Sequence, residues 1–186
     1  MITFREVNVD DAEMILRWRT SSRVTKFMNS DVEYDLEAQR NWLLASYKKP
    51  HYYHWIIEND GKPIGLIYLA DYSLSDATTS WGFYIGEENS DGLGAFIPPY
   101  FYNFLFGELS IETINVEVFY NNKNVIELHL LHGYKFAPER DRVILKNDKK
   151  ILLVNMTLNK EHWNFKKFSR NLATFPIARW QAKPCF

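Results

Sequence analysis

Cysteine is nearly absent from this sequence, with Cys185 the single example among 186 residues. One cysteine excludes a disulfide framework or a cysteine-based zinc site within the chain, and it favours a cytoplasmic location. Long apolar runs are also lacking, so no membrane span is expected, and the charged start MITFREVNVDDAE has no signal-peptide core. We therefore expect a cytoplasmic protein without a membrane partner and without a metal site.

An excess of one charge sign is missing too. The chain carries 22 Lys and Arg against 23 Asp and Glu, for a net charge of -1. This balance argues against a dedicated nucleic-acid binder. Aromatic residues, in contrast, are plentiful at 16%, within a hydrophobic content of 46%. They indicate either stacking surfaces and apolar pockets or, more commonly, core packing. The length suits one domain with a sizeable core.

The apolar pattern predicts an alternation of strands and helices. A first strand is followed by a helix that Asp10 or Asp11 caps, then by a second helix capped by Asp35. An antiparallel meander of three strands comes next. The predicted strands and helices up to this point are Ile2–Val7, a helix ending at Arg19, Leu36–Tyr47, Tyr53–Glu58, Ile64–Ala70 and Thr79–Ile85. Gly65 within its strand predicts a bulge or a close backbone contact.

A glycine-rich loop follows the third meander strand. It reads Gly92-Leu93-Gly94-Ala95, and an apolar segment containing Pro98-Pro99 comes after it. Strand, glycine loop and helix together form a layout that binds phosphate, because the helix start offers unpaired N–H groups and positive potential. The motif alone is weak, and an ordinary tight loop is an equal alternative. Since proline is tolerated only in a first turn, the helix begins near Ile97 or is distorted there.

The remaining elements are a strand, a short helix stopped by Gly133, and further strands. They cover Ile114–Phe119, Asn124–His132, Tyr134–Phe136, Arg142–Leu145 and Ile151–Leu158. From Asn159 the chain is basic and aromatic, which predicts a helix followed by a tail. We expect residues 1–158 to form one domain and residues 159–186 an extension packed on it. A dimer contact and, more weakly, nucleic-acid binding are alternative roles for this extension.

The order of elements and two motifs resemble the GNAT N-acetyltransferases over roughly Ile2 to Leu158. The family pattern Gln/Arg-x-x-Gly-x-Gly/Ala falls on Asn89 to Gly94, with Asn89 replacing the leading residue. The pattern Asn-x-x-Ala-x-x-Leu-Tyr-x-x-x-Gly-Phe falls on Asn122, Val125, Leu128, His129, Gly133 and Tyr134. The resemblance implies an α/β (α+β) fold. Its mixed, mostly antiparallel central sheet would be splayed between strands 4 and 5 and flanked by helices.

Within this family, the chain is most similar to the UDP-amino-sugar N-acetyltransferases of pseudaminic acid biosynthesis. The similarity lies in Arg17-Trp18-Arg19-Thr20, Phe27-Met28, Glu37 with Trp42-Leu43, and Gly65. It implies direct transfer of an acetyl group from acetyl-CoA to the amino group of a UDP-linked 4-amino-dideoxy sugar. A protein N-terminus or an antibiotic amine is an alternative acceptor, and a non-catalytic acyl-CoA-binding module is an alternative function.

The resemblance also implies where acetyl-CoA binds. The pyrophosphate would sit on backbone N–H groups of the loop, and the pantetheine arm would pair with the fourth strand. These cofactor residues are Asp91, Gly92, Leu93, Gly94 and Ala95 in the loop, and Phe83, Tyr84 and Ile85 in the strand. The charge of Asp91 opposes a phosphate. Asn122 would bind the arm or place a water, with helix capping as the alternative.

Two residues are candidates for proton transfer. His129 stands where the family has a tyrosine that protonates the leaving thiolate, although a buried structural histidine is the alternative. Glu87 is a candidate base, although a solvated acid in a polar loop is more common. A route through water would make a base unnecessary.

The acceptor would lie against the first two helices. Arg17 or Arg19 would pair with phosphate oxygens, and Trp18 or Phe27 would stack on the uracil or the sugar. Met28 would belong to the wall of the substrate side, and Trp81 would line the amine pocket with Phe83. Core packing of the apolar residues and solvation of the arginines are equal alternatives for this set.

Overall fold

A computed structural model describes residues 1–178, so Cys185, Trp180 and the rest of 179–186 lie outside the described residues. The strands are β1 Ile2–Glu6, β2 Tyr53–Asn59, β3 Lys62–Ser73, β4 Thr78–Ile85, β5 Thr113–Phe119, β6 Lys135–Phe136, β7 Arg142–Lys146 and β8 Lys149–Asn159. The α-helices are α1 Ala12–Thr20, α2 Ser22–Thr25, α3 Leu36–Ser46, α4 Pro98–Gly107 and α5 Lys123–Leu131. Short 3-10 helices cover Val9–Asp11, Glu88–Phe96, Pro138–Arg140 and Lys160–His162.

The described strands form one sheet in the order β1-β2-β3-β4-β5-β8-β6, with β7 also paired to β8. The β4–β5 pair is parallel, and the other pairs are antiparallel. This arrangement confirms the predicted mixed, mostly antiparallel sheet. A parallel neighbour for β4 requires a crossover, and α4 supplies it.

Helices cover both faces of the sheet, so the strands alternate between two cores. Adjacent residues of β2 illustrate this, because Ile56 belongs to the core beneath α1 and α3, whereas Ile57 belongs to the core beneath α4 and α5. Both residues are fully buried. The positions of β3 and β4 alternate in the same way, so each side chain is assigned to a defined face.

The cap of the first helical segment differs from the prediction. Asn8, rather than Asp10 or Asp11, caps the 3-10 turn that leads into α1: its Oδ1 accepts the Asp10 N–H at 2.8 Å. Asp11 accepts the Asn8 N–H at 2.9 Å and also binds both terminal nitrogens of Arg5 at 2.8 Å. Asp11 therefore joins the helix start to β1 through its ion pair with Arg5, in addition to its hydrogen bond in the cap.

The extension is not helical as predicted. After Lys160–His162, residues 163–178 form turns and extended chain that pack on α4. Asn103 of α4 donates to the carbonyl groups of Phe168 and Asn171 at 2.9 and 2.8 Å, and it accepts the Trp163 indole N–H at 2.8 Å. A neighbouring helix thus satisfies backbone groups that an α-helix would have paired internally.

The aromatic residues of the extension complete the core. Phe175 is 2% exposed and stacks on Phe4 and Phe104 at centroid distances of 4.1 and 4.5 Å. The indole of Trp55 donates to the Pro176 carbonyl at 2.9 Å. The described part of the extension therefore packs on the domain.

The predicted irregularity at Gly65 is confirmed. The β2–β3 register shifts between Ile57 and Glu58, next to this glycine. A Cβ at Gly65 would overlap the Tyr84 carbonyl oxygen of β4, so β3 and β4 approach closely only because the residue is glycine.

Among the described residues, no helix has the length and apolar character needed to cross a membrane. The described part also holds no group of three or more potential metal-binding side chains.

Candidate functional site

The hydrogen-bond ladder between β4 and β5 is short. The two strands pair only at Thr78–Ser80 with Thr113–Asn115, whereas β3 pairs with β4 as far as Ile85. Because β4 and β5 are parallel, the opening that begins at Trp81 runs to the carboxyl end of both. The opening leaves strand backbone groups available to a ligand. It confirms the predicted splay between strands 4 and 5.

The residues predicted to bind the cofactor lie around this opening. Phe83, Tyr84 and Ile85 form the last part of β4, and Asn122 directly precedes α5. The five loop residues, Asp91, Gly92, Leu93, Gly94 and Ala95, lie in the 3-10 segment that follows β4. The side chain of Asn122 makes no capping hydrogen bond. Capping therefore does not account for this asparagine.

The start of α4 has fewer donors than an ordinary helix. Pro98 and Pro99 occupy its first positions, as proline tolerance predicts, and neither carries an N–H. The N–H groups available to a phosphate therefore belong to the preceding 3-10 turns. At Gly92 an added Cβ would meet no heavy atom within 4 Å. The backbone at this glycine is open to the approach of a ligand.

Arg23 offsets the adverse charge in this loop. It forms an ion pair with Asp91, and the same guanidinium donates to the carbonyl groups of Ile85 and Gly86. Arg23 belongs to α2 and lies 68 residues from Asp91 in the sequence. It fixes the geometry of the turn between β4 and the loop, and no local sequence signal indicates this role.

His129 lies in an aromatic core. It is 4% exposed, its Nδ1 lies 3.4 Å from the Tyr102 hydroxyl, and its ring packs on Tyr134 at 4.7 Å. Burial, reinforced by the charge of His132, lowers the pKa of His129 to about 3. The imidazole is therefore neutral at pH 7, which disfavours proton donation by an imidazolium.

Glu87 holds α1 against the end of β4. Its Oε1 accepts hydrogen bonds from Arg17 Nη2 and from the Trp18 indole N–H, both at 2.8 Å. Trp18 is 2% exposed, and a Cβ at Gly86 would overlap its ring. The predicted base therefore already has two donors, and the predicted stacking residue Trp18 is part of the core. Arg17 is solvent-exposed and paired with Glu87.

The other predicted acceptor residues divide between surface and core. Phe27 is 37% exposed and packs edge-on against Phe119 at the end of β5. The Met28 carbonyl accepts from Lys146 Nζ of β7 at 2.7 Å, so this segment is tied to the hairpin across the site. Trp81 is 6% exposed and donates to the Tyr134 hydroxyl at 2.9 Å. It packs in the core rather than lining an open pocket.

A polar surface on the α1 and α3 side of the sheet was missed by sequence reasoning. Glu117 of β5 binds Arg142 through two hydrogen bonds of 2.7 Å, and this pairing lowers the pKa of Glu117 below its ordinary value. The charge of Glu117 acts on Tyr68, and the charge of Arg19 acts on Tyr52, Tyr68 and Tyr84. The signal was present as strand alternation, because Glu117 stands between the buried Val116 and Val118.

Known proteins resemble this chain in sequence and in structure. Residues 4–152 match the acetyltransferase (GNAT) domain family. The acetyltransferase PseH of Campylobacter jejuni is 22% identical over 136 residues, which is 73% of this chain and 84% of that protein. Spermidine N-acetyltransferase of Vibrio cholerae, solved with CoA and spermine, superposes with a TM-score of 0.78 at 14% identity, covering 87% of this chain and 96% of that chain. A protein of Bacillus halodurans gives 0.71 at 19% identity, with coverages of 91% and 89%.

Proposed function

The chain belongs to the GNAT acetyltransferase family and is an N-acetyltransferase that uses acetyl-CoA, and on this premise we propose that its acceptor is the amino group of a UDP-linked 4-amino-dideoxy sugar. The single observation that carries the donor half of this proposal is the opening between β4 and β5. The acceptor half is supported by the sequence similarity to PseH over 73% of the chain. The likeness to spermidine acetyltransferases, at 14% identity, supports the fold and not the acceptor.

The opening fits the acetyl donor in two respects. An amide-bearing pantetheine arm needs extended backbone with unpaired groups, and β4 supplies it beyond Ser80. A pyrophosphate needs N–H groups that it can approach closely, and the open space around the backbone at Gly92 would permit such an approach. When bound, acetyl-CoA provides a thioester whose carbonyl carbon a neutral amine attacks directly. Arg23 holds the loop in place and compensates for Asp91.

The predicted catalytic residues take reduced roles in this proposal. His129 is neutral at pH 7, so its role toward the donor is an N–H hydrogen bond to the sulfur rather than proton donation as an imidazolium acid. Glu87 is held by Arg17 and Trp18, so its first role is to position α1. Loss of the amine proton through water fits this arrangement better than a dedicated base.

The acceptor residues are a subset of those predicted. Arg19, Phe27 and Met28 remain in the acceptor site, because they lie on the α1 side of the opening and are partly exposed. Trp18 and Trp81 are buried, so they support the walls of the site from behind.

Free thiol release tests the proposal. The protein is incubated with acetyl-CoA and, in separate reactions, with a UDP-linked 4-amino-4,6-dideoxy sugar, spermidine and a peptide with a free N-terminus. We expect the nucleotide sugar to give the highest kcat/KM. Higher turnover of spermidine or of the peptide would assign the enzyme to another acceptor class, and no release with any amine would contradict the catalytic proposal.

We propose that residues 159–186 form an extension of the domain that ends at residue 158. The described part supports packing on α4 as its role in preference to a dimer contact or nucleic-acid binding. The cytoplasm remains the predicted compartment, on the grounds of the single cysteine.

A further inference from the structure

A cluster of one arginine and three tyrosines lies on the α1 and α3 face of the sheet. Arg19 stands near the end of α1, Tyr52 precedes β2, and Tyr68 and Tyr84 belong to β3 and β4. The rings of Tyr52 and Tyr68 are 5.8 Å apart, and the charge of Arg19 acts on all three hydroxyl groups. Together these residues are called the Arg19–tyrosine cluster. No predicted role included the hydroxyl group of any of these tyrosines.

Two polar atoms in this cluster have no partner among the described residues. They are Arg19 Nη1 and the Tyr84 hydroxyl, and both are shielded from solvent. Arg19 Nη2 reaches the Ser30 carbonyl at 3.4 Å, which is a long hydrogen bond. Buried donors without partners are rare in folded proteins, and each one calls for an explanation such as a functional role or a bound ion. Both atoms are donors, so a ligand rich in acceptors suits them.

The charges around the cluster favour an anion. The carboxylate of Asp31, whose charge interacts with Arg19, is bound by Lys146 Nζ at 2.9 Å. Glu117 is bound twice by Arg142. Both acids are therefore paired with other cations, whereas Arg19 forms no salt bridge among the described residues. Burial raises the pKa of Tyr84, so its hydroxyl remains a donor at all ordinary pH values. One cation beside phenol donors suits an oxyanion, and a polycation would be repelled.

The cluster borders the opening between β4 and β5. In the β3–β4 register, Tyr68 stands opposite Gly82, two residues beyond Ser80, the last residue of β4 that pairs with β5. A Cβ at Gly82 would lie 2.5 Å from the Tyr68 hydroxyl oxygen, so this hydroxyl reaches across β4. The charge of Glu117 on β5 also acts on Tyr68. The cluster thus lies beside the start of the opening, on the face opposite α4.

We infer that Arg19, Tyr68 and Tyr84 bind a phosphate group of the acceptor, and that this contact selects a nucleotide-linked amine over a polyamine. The inference rests on the proposed function for the identity of the acceptor. The selectivity comes from hydrogen bonds to an oxyanion, and the donors of these bonds are groups that the fold leaves unpaired. Tyr52 packs behind Tyr68 and positions it, without a contact to the ligand being required.

The test compares two acceptors that differ only in the nucleotide. These are a UDP-linked 4-amino-4,6-dideoxy sugar and the same amino sugar as its methyl glycoside. Arg19→Gln is expected to raise KM for the UDP-linked acceptor at least about 10-fold, to change kcat less than about 3-fold, and to leave KM for the glycoside unchanged. Tyr84→Phe is expected to raise the first KM about 3-fold to 10-fold. Arg19→Lys should recover part of the loss, because it keeps the charge without the planar fork.

Arg40→Gln is the matched control, because Arg40 is an exposed arginine of α3. It should leave both acceptors unaffected. Thermal unfolding of each variant shows whether the fold is intact. An equal rise in KM for both acceptors in Arg19→Gln, or no rise at all, would overturn the inference.

Binding of UDP alone, measured by calorimetry with CoA present, separates this inference from the proposed function. If UDP binds and Arg19→Gln weakens it about 10-fold while no amine is acetylated, the anion site stands and the proposed acceptor fails. Phosphate, pyrophosphate and acetate serve as competing anions, and competition by acetate equal to that by pyrophosphate would assign the site to carboxylates instead. Absence of UDP binding to the unaltered protein would refute the inference directly.

Discussion

Two buried histidines make the stability of this protein sensitive to mild acid. His129 and His132 are 4% and 7% exposed. Burial lowers the pKa of His129 to about 3, and burial with the charge of Lys167 lowers that of His132 to about 4. In the unfolded chain both have a pKa of about 6.5. Their contribution to stability is therefore complete above the unfolded pKa, and it is lost as the pH falls toward the folded pKa.

The size of the effect follows from proton linkage. A pH of 5 is about 1.5 units below the pKa of histidine in the unfolded chain. At this pH each unfolded histidine has gained a proton that the folded one lacks. At about 1.4 kcal/mol per unit, each histidine costs about 2 kcal/mol, or about 4 kcal/mol for both. Guanidinium unfolding at pH 7, 6 and 5 measures this fall in the free energy of unfolding.

His132→Phe is the informative variant, because His132 is surrounded by Tyr102, Trp163 and Phe168. It should reduce the fall between pH 7 and pH 5 by about 2 kcal/mol. The exposed His51 supplies the control, since His51→Gln should keep the whole effect. A fall of less than about 1 kcal/mol in the unaltered protein, or an identical fall in His132→Phe, would show that these histidines are already protonated or accessible in the folded state.

Two further predictions concern packing. Asn103→Leu leaves one indole N–H and two carbonyl groups of the extension unpaired, so the free energy of unfolding should drop by about 2–4 kcal/mol. The control Asn41→Leu, at an exposed position of α3, should change this free energy by less than about 0.5 kcal/mol. Equal effects of the two variants would refute the role of Asn103. Gly86→Ala drives a methyl group into the Trp18 ring and should destabilise by about 1–3 kcal/mol. Gly107→Ala meets no atom within 4 Å, so thermal unfolding should be unchanged or slightly raised, and similar melting of both glycine variants would contradict the overlap.

Sequence patterns predicted the parts of this fold that depend on local chemistry. The turn at Asn59 to Lys62, the alternation in β2 and β5, and proline tolerance at Pro98 all act within a few residues, and the elements they predict are present. The glycine loop and the motif around Asn122 then indicated the family, and the family fold predicted how these elements are arranged. The register of β3 against β4, which brings Tyr68 beside Gly82, is not encoded in either strand alone.

The parts that the sequence did not reveal depend on contacts between distant residues. Glu87 looked like a free acid because Arg17 and Trp18, its partners, lie about seventy residues earlier. The extension looked helical because composition does not record that Asn103 satisfies its backbone. His129 matched a catalytic position, yet its pKa depends on the aromatic residues that surround it in space. Side-chain roles of this kind require the tertiary structure.

The three-residue ladder between β4 and β5 has a consequence for the dynamics of the whole sheet. In the sheet of the described residues, the three-residue ladder at Thr78–Ser80 joins the unit β1–β4 to the unit of β5 and β8, and the core beneath α4 and α5 packs on both units. Because few ladder hydrogen bonds join the two units, we expect amide hydrogen exchange in the two halves to report different local free energies in the free protein. A ligand that spans the opening would contact both halves, and we expect it to make them exchange as one unit. Substrate binding would then be visible as a gain in folding cooperativity, far from the atoms it touches.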